Sequence, residues 1–505
     1  MMVMAMNRFF IITVLTLLSA CSLAPDFVQP KMDVPQAYDE QNDNEKGKWK
    51  VAKTMEAADR GDWWKIFNDK ILDGLEKQAL EENQSIKIAA ERLEQSRATV
   101  RSSEADFFPT VGTGANYLRT KPSSVSAVAF GAPAGTQIKP YTAYSVSGDV
   151  SYEADLFGRV RDTYRTALLH SKADEATYKS MLLALQGDVA QNYFNLRTID
   201  EQRRITGRQV KILEEAARIM KSRTDEGDVG ERDNSRAKNE LAIAKAQELA
   251  LDNQRAQSEH ALAVLLGKMP ERFKLAEAPF NILPPSIPAG LPSTLLERRP
   301  DVVSAQNSMM AANYNIGVAR SAFFPSLDLT ASGGLQSSTL SDLFKWSSRS
   351  WALGPLAGSA LSIPIFAGGR DWANLDQAKS GYKESVASYR QQVLVAFQEV
   401  EDSLAAQHYL AEQYEQQNIA AKSSKRAADL TKLSYDEGDV NYFEVVNAER
   451  DSLVQQQSEA QLKGQRLNAT VKLIRALGGG WRKEDFSGKS SESGSEKISA
   501  DDTDI

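Results

Sequence analysis

The chemistry available to this chain starts with its single cysteine. Cys21 ends a Leu-Ser-Ala-Cys sequence that follows Arg8 and an apolar stretch at residues 9–18. A short apolar stretch with small residues before a cysteine is typical of a bacterial lipoprotein signal, in which the thiol takes a diacylglycerol. The alternative is an ordinary signal peptide with a chance cysteine, but the only cysteine of 505 residues lies at the one useful place. We therefore expect removal of residues 1–20 and a covalent lipid on Cys21.

The residue after this cysteine predicts the destination of the lipidated chain. Ser22, rather than an aspartate, follows Cys21, and this favours the outer membrane over retention at the inner membrane. Multiple acyl chains give stable anchoring where a single chain does not. We expect a protein anchored by lipid to the outer membrane and extending into the periplasm.

The sequence shows no further pattern for catalysis or for metal binding. One cysteine excludes an internal disulfide framework, and His170, His260 and His408 are too scattered for a zinc site. The carboxylate pairs are spread along helix faces, where solvation is their ordinary explanation. We expect no enzyme activity and no cofactor besides the lipid.

Composition narrows the possible partners. The 60 basic and 67 acidic residues give a net charge of −7, which argues against a nucleic-acid partner that needs a basic surface. The mean hydropathy of −0.41, without an apolar run of about 18 residues, excludes a membrane protein built of many spanning helices.

The chain contains a tandem duplication. Residues 225–229, Asp-Glu-Gly-Asp-Val, recur identically at 436–440, an offset of 211 residues. The Phe-Phe-Pro sequence at 107–109 recurs at 323–325, an offset of 216 residues. Because the 211-residue offset holds over more than a hundred residues, chance identity is a poor explanation. The repeat therefore defines the organisation of the fold.

The duplicated unit sets the predicted domain boundaries. They are a signal peptide at 1–20, an N-terminal equatorial segment at 21–69, a first repeat at 70–267, a Pro-rich equatorial linker at 268–293, a second repeat at 294–478 and a tail at 479–505 with a disordered end.

Each repeat contains a very long helix. Apolar residues spaced by three or four continue through a proline-free stretch, and the segment from about 158 to 224 predicts a helix of nearly 70 residues. Such a length is typical of coiled coils and helical repeats rather than of a globular core. Gly227 and Gly438 mark turns, after which antiparallel helices return over about 232–266 and 443–477.

Before each long helix the pattern changes to alternation with a period of two, which predicts strands. Four strands of about ten residues result, a length that crosses a bilayer when tilted. The soluble alternative places the apolar faces inside a sandwich. Because about eight strands are needed to close a barrel, four would need other subunits. The alternating residues are Val111, Thr113, Ala115 and Tyr117; Tyr144, Val146, Gly148, Val150 and Tyr152; Leu327, Leu329, Ala331, Gly333 and Leu335; and Trp351, Leu353, Ala357, Leu361 and Ile363.

Three local motifs resemble one known family. They are Cys-Ser-Leu-Ala-Pro-Asp at 21–26, Leu-Leu-Glu-Arg-Arg-Pro-Asp-Val at 295–302 and Phe-Phe-Pro-Ser-Leu at 323–327. Together with the duplication, they resemble the TolC-like outer membrane factor family, in its lipoprotein branch that serves RND-type tripartite efflux pumps. The resemblance implies a mixed α and β membrane protein. It would be a homotrimer whose twelve-stranded outer membrane β-barrel takes four strands per chain and continues into a periplasmic α-helical coiled-coil barrel.

The resemblance also implies where the duct closes. The family closes its periplasmic end with rings of acidic and apolar residues near the helical turns, which correspond here to Asp233, Phe443, Glu444 and Asn447. Many relatives carry an aspartate where this chain has Asn447, so one charge ring is missing or is displaced to Glu444. The alternative is that Phe443 simply packs between helices and Glu444 is solvated.

The turns are where the family meets its periplasmic adaptor. The corresponding residues are Glu226, Gly227, Asp228, Val229, Glu437, Gly438, Asp439 and Val440. Their carboxylates suggest an adaptor tip of basic charge. The glycines alone argue nothing about partners, since a left-handed turn requires them.

The implied function is a passive outer membrane exit duct for small molecules, which an inner-membrane RND-type pump expels through the adaptor. One alternative is the outer membrane duct of a type I protein secretion system. The other is a structural periplasmic coiled-coil lipoprotein without a channel, which leaves the four alternating strands unexplained.

Overall fold

The computed structural model describes residues 22–32, 62–121, 123, 139–285, 299–353 and 361–479. The predictions made for the signal peptide, for Cys21 and for residues 480–505 lie outside these ranges, as does part of the Pro-rich linker. The described chain is mostly helical and contains one antiparallel sheet. Its elements are α1 (Lys70–Glu82), α2 (Gln84–Ala105), β1 (Thr110–Thr120), β2 (Tyr141–Ala154), α3 (Arg159–Asp225), α4 (Glu231–Leu265), α5 (Pro300–Ser321), β3 (Ser326–Ser337), β4 (Arg349–Leu353), β5 (Leu361–Ser362), α6 (Arg370–Asp436) and α7 (Tyr442–Ala476).

The helix ends follow the duplication. The helices α3 and α6 each have 67 residues, α4 and α7 each have 35, and both pairs begin and end 211 residues apart. The described entry to the first repeat has two helices, α1 and α2, and the described entry to the second is α5, which begins at Pro300, just after the undescribed residues 286–298. The break falls at Asn83, whose ψ of 126° is extended and whose Oδ1 accepts the Ile86 N–H at 3.1 Å.

The chain divides into two compact units that do not coincide with the two repeats. The first comprises Met1–Met32, Glu91–Glu175 and Ser304–Gln391, and the second comprises Asp33–Ala90, Ala176–Val303 and Gln392–Ile505. Each unit therefore takes segments from both halves of the duplicated chain.

In the first unit, the sheet has the order β1-β2-β3-β4, and β5 also pairs with β3. The pairing puts the predicted apolar positions of every strand on one face. Tyr117 lies opposite Tyr144, Val146 opposite Leu335, and Gly333 opposite Trp351. The predicted fourth strand is represented by β4 and β5, which flank residues 354–360 outside the described ranges.

The apolar face of this sheet is open. Val111 and Trp351 are each 77% exposed, and Leu353 and Leu361 are exposed as well. The sandwich alternative needs a second layer of strands over this face, whereas residues 22–32, 62–121, 139–285, 299–353 and 361–479 contain one sheet.

In the second unit, the predicted helical stripes form the core. Val189, Tyr193 and Leu196 of α3 are fully buried, and Val393 and Val400 of α6 are buried in the same way. The α1 helix adds its own buried stripe, and its first turn is capped by the Asp69 carboxylate. Among the described helices, none combines the length and the apolar character needed to span a bilayer.

Candidate functional site

The two predicted turns have the same backbone geometry. Gly227 has φ of +84° and Gly438 has φ of +88°, and a Cβ on either would meet no neighbouring atom. In the first turn the Asp228 N–H donates to the Arg223 carbonyl at 2.9 Å, and in the second the Asp439 N–H donates to the Ser434 carbonyl at 2.8 Å. These are Schellman bonds, which close a helix through a left-handed residue. Backbone conformation alone therefore explains both glycines.

The predicted adaptor-contacting side chains lie on these turns. Glu226, Asp228, Glu437 and Asp439 are exposed, whereas the two valines that follow, Val229 and Val440, are half-buried. The Ser222 hydroxyl donates to the Glu226 carboxylate at 2.9 Å. Each turn thus presents two carboxylates to solvent from a hydrogen-bonded backbone.

The first two turns of α7 hold three of the four predicted gate residues. Asn441 caps this helix, since its Oδ1 accepts the Glu444 N–H at 3.2 Å. Val445 and Val446 are buried beneath it, Glu444 is exposed, and Phe443 and Asn447 are half-buried. In the described part of the chain, the side chains of Glu444 and Asn447 form no hydrogen bond or ion pair.

The structure adds one residue to this group. The Arg236 guanidinium of α4 lies over the Phe443 ring, 5.5 Å from its centroid. Asp233, the fourth predicted gate residue, precedes Arg236 by three positions on α4, so the two lie on the same helix face. Arg236 was missed by the sequence analysis, although the 211-residue offset maps it onto Asn447 and maps Asp233 onto Glu444.

A small apolar cluster supports the two helix starts. It joins α3, α4 and α7 through side chains that are less than a tenth exposed, with Leu241 and Tyr442 packed against them: Val210, Leu213, Ala216, Ala244 and Val446. The Tyr442 ring meets Tyr435 of α6 edge-on at 5.4 Å, and burial is the main cause that raises the pKa of Tyr442. The turn of the second repeat is thus packed against both helices of the first.

Comparison with known proteins decides the family. A family model described as "Outer membrane efflux protein" matches residues 75–268 and 291–479. The chain belongs to the outer membrane efflux protein family. This efflux protein is 35% identical over 479 residues to the toluene efflux pump outer membrane protein TtgI of Pseudomonas putida, an alignment that covers 92% of this chain and 97% of that protein.

Solved structures of outer membrane channels have the same fold. The CmeC outer membrane channel of Campylobacter jejuni superposes with a TM-score of 0.83 at 27% identity, over 92% of this chain and 96% of that one. The open state of the MtrE outer membrane channel of Neisseria gonorrhoeae gives 0.77 at 31% identity, over 91% and 98%. The protein is accordingly the outer membrane channel component of an efflux system.

The structure gives a role to Arg299 in the Leu-Leu-Glu-Arg-Arg-Pro-Asp-Val motif at 295–302 of this efflux protein. Arg299, 5% exposed, donates to the Ala476 carbonyl at 3.0 Å and pairs with Asp301 and Glu399, each at 2.6 Å. Although burial opposes the charged form, the two carboxylates raise the pKa of Arg299. One side chain therefore fastens the start of α5 to α6 and to the end of α7.

A second buried network fastens the chain that follows α4. Arg255 pairs with Asp200 and with Glu259, both at 2.7 Å, and donates to the Leu275 carbonyl. Arg197 donates to the Ala276 carbonyl at 2.7 Å. The hydrogen bonds to the Leu275 and Ala276 carbonyls hold the beginning of the predicted equatorial linker of the efflux protein on α3 and α4.

Proposed function

We propose that three copies of this chain form a passive exit duct through the outer membrane for small molecules, which an inner-membrane RND-type pump expels through a periplasmic adaptor. The observation that carries the proposal is the two-faced sheet. Its apolar face is exposed, and its other face pairs Asn116 with Ser145 and Asp149 with Ser332. An apolar outer face and a polar inner face are what a transmembrane β-barrel with an aqueous lumen requires.

The sheet also has two open edges. β1 pairs with β2, and β4 and β5 pair with β3, so that each outer strand of the described sheet has one unpaired side. In lipid every backbone polar group needs a partner, and a sheet of this width is too narrow to close on itself. Three copies would join edge to edge into twelve strands and leave no edge unpaired.

The helices support the same trimer. Large apolar side chains are exposed on α4 and α6, where a neighbouring subunit would cover them: Ile243, Leu249, Leu394, Tyr409, Ile419, Leu430 and Leu433. A neighbouring subunit would remove these side chains from water. In the duct, helices α3, α4, α6 and α7 of the three subunits would form the periplasmic α-helical barrel.

The duct would be closed by the group around Phe443. Three copies of Asp233 and Glu444 around a narrow axis repel one another and attract cations, and a ring of Phe443 closes a pore by excluding water. Opening would be an iris-like rearrangement of α6 and α7 when the adaptor docks on the acidic turns. A covalent lipid on Cys21 would add a second membrane anchor.

The alternatives are a type I secretion duct and a structural lipoprotein without a channel. Efflux is favoured over secretion by the family description and by the relative TtgI, whose name places it in a toluene efflux pump. The two-faced sheet favours a channel over the structural lipoprotein, because a periplasmic spacer has no use for an exposed apolar sheet.

Single-channel conductance of the purified protein in planar bilayers tests the proposal. We expect rare, small openings for the wild type and frequent, large ones for Phe443→Ala and for Glu444→Gln/Asn447→Ala. Lys238→Ala, which removes an exposed charge from α4, is the matched control and should behave as wild type. Absence of conductance in every variant, in protein shown to be trimeric, would refute the channel and favour the structural lipoprotein.

A further inference from the structure

Ser22, the first residue that the structure describes, is held by hydrogen bonds of its side chain. The Ser22 hydroxyl donates to both carboxylate oxygens of Asp162, at 2.7 and 2.8 Å, and accepts the Ala24 N–H at 3.1 Å. Asp162, in the first turn of α3, is fully buried. Burial raises the pKa of Asp162, whereas the Ser22 hydroxyl and Arg165 act in the opposite direction. A carboxylate sequestered in this way depends on its few donors.

One face of α5 receives the residues that follow. The Arg320 guanidinium donates to the Leu23 carbonyl at 2.9 Å, and the Asn313 amide donates to the Pro25 carbonyl at 2.7 Å. Asn313 is 2% exposed. These two residues and Gly317 lie at positions i, i+4 and i+7 of the helix, so they line one side of it.

Gly317 makes room for this contact. A Cβ at this position would lie 2.2 Å from Asp162 Oδ2 and 2.7 Å from the Ala24 nitrogen. Real Cβ atoms do not approach other heavy atoms so closely, and Gly317 lies inside a helix, where glycine is otherwise unfavourable. Its presence is explained by the passage of the N-terminal segment.

The location of this contact matters for a membrane anchor. Asp162 lies one helical turn after Gly158, and its N–H donates to the Gly158 carbonyl. Phe157, the residue before Gly158, stacks on Phe324 with ring centroids 4.8 Å apart. Phe157 follows the end of β2, and Phe324 precedes β3. The N-terminal segment is therefore held where the sheet ends and the helices begin.

We propose that Asp162, Asn313, Gly317 and Arg320 form a binding site for the mature N-terminus, which selects a small hydroxyl side chain at position 22 and fixes the neighbouring lipid attachment point at the base of the sheet. The site excludes an aspartate at position 22, because two carboxylates would then face each other at hydrogen-bonding distance inside the protein. The fold itself thus disfavours the residue that retains lipoproteins at the inner membrane. The membrane role of the site rests on the proposed anchor at Cys21, but its selectivity does not.

Hydrogen exchange of the segment 22–32, followed by mass spectrometry on the full mature protein in detergent, tests the site. Ser22→Ala and Ser22→Asp should each exchange at least about tenfold faster than wild type, because a hydrogen bond to a charged group is lost. Ser22→Thr should remain within about threefold of wild type. The double variant Ser22→Asp/Asp162→Asn should regain at least about tenfold protection over Ser22→Asp, because the side-chain amide introduced on α3 can donate to the new carboxylate.

An exposed hydroxyl–carboxylate pair supplies the control. Thr339 donates to Asp342 at 2.9 Å in the loop between β3 and β4, and Asp342→Asn should leave the exchange of 22–32 unchanged. Wild-type exchange in Ser22→Asp, or no recovery in the double variant, would overturn the proposal. The mass of the N-terminal peptide reports the acyl group separately, so an unlipidated protein with the expected exchange would refute the anchor and retain the site.

Discussion

The tight turns at the ends of α3 and α6 allow the effect of backbone conformation to be measured without any packing change. Gly438 has φ of +88° and Gly381 lies inside α6, and neither would bring a Cβ within 4 Å of another atom. Alanine in the left-handed region costs about 1–2 kcal/mol. The smaller conformational freedom of alanine in the unfolded chain returns about 0.4–1 kcal/mol of this. Gly438→Ala should therefore destabilise its turn by about 1 kcal/mol, whereas Gly381→Ala should stabilise α6 by a similar amount.

The assay is hydrogen exchange of residues 433–441, where the Gly438 and Asp439 amides close the turn. About 1 kcal/mol corresponds to roughly fivefold faster exchange in Gly438→Ala, and Gly438→Asn should lie between this variant and wild type, because asparagine tolerates the left-handed region. Gly381→Ala should leave the turn unchanged and slow exchange in its own part of α6. Equal effects of the two alanines on the turn would refute the reasoning, because the identical side chain would then act without regard to φ.

Two further predictions concern the buried tyrosine and the acidic turns. Burial, followed by the hydrogen bond to Asp69, raises the pKa of Tyr193 to about 12. Since the unfolded phenol loses its proton near 10, the free energy of unfolding should fall by about 3 kcal/mol as pH rises from about 10 to 12. Thermal unfolding of Tyr193→Phe should lack this part of the pH-dependent loss of stability. Asp228→Lys/Asp439→Lys should weaken binding of the periplasmic adaptor about tenfold in a pull-down titration. The control Glu271→Lys, which is remote in sequence from both turns, should leave adaptor binding unchanged. Unchanged adaptor binding by the double variant would contradict the acidic docking surface.

The sequence contains enough local information to predict the elements. Identical residues at 225–229 and 436–440 fix both turns, and the same offset places the ends of all four long helices, since capping is a local property. Alternation along each strand predicts the face that a side chain occupies, and Tyr117 and Tyr144 lie on the same face as predicted, whereas alternation does not determine that these two residues are paired. The break at Asn83 was missed, because its capping side chain interrupts a stripe that otherwise continues.

The contacts between elements far apart in sequence could not be predicted in this way. Ser22 and Asp162 are 140 residues apart, and nothing in the local pattern around either residue indicates the other. Arg299 belongs to a recognisable motif, but its partners Glu399 and Ala476 lie on other helices, so the motif gave no role. Patterns report which face of an element is buried, while the partner of a polar side chain depends on the completed packing.

The duplication itself would allow one fold to combine the proposed docking surface with the proposed gate. The five residues of each turn, 225–229 and 436–440, are identical, so both turns present the same carboxylates. The following helices then diverge, because Gly230 leaves α4 without a side-chain cap, whereas Asn441 caps α7. The position that is Arg232 in the first repeat is Phe443 in the second. The identical part of each hairpin therefore suits a partner that contacts both turns alike, and the divergent part allows Arg236 of one repeat to cover the Phe443 ring of the other.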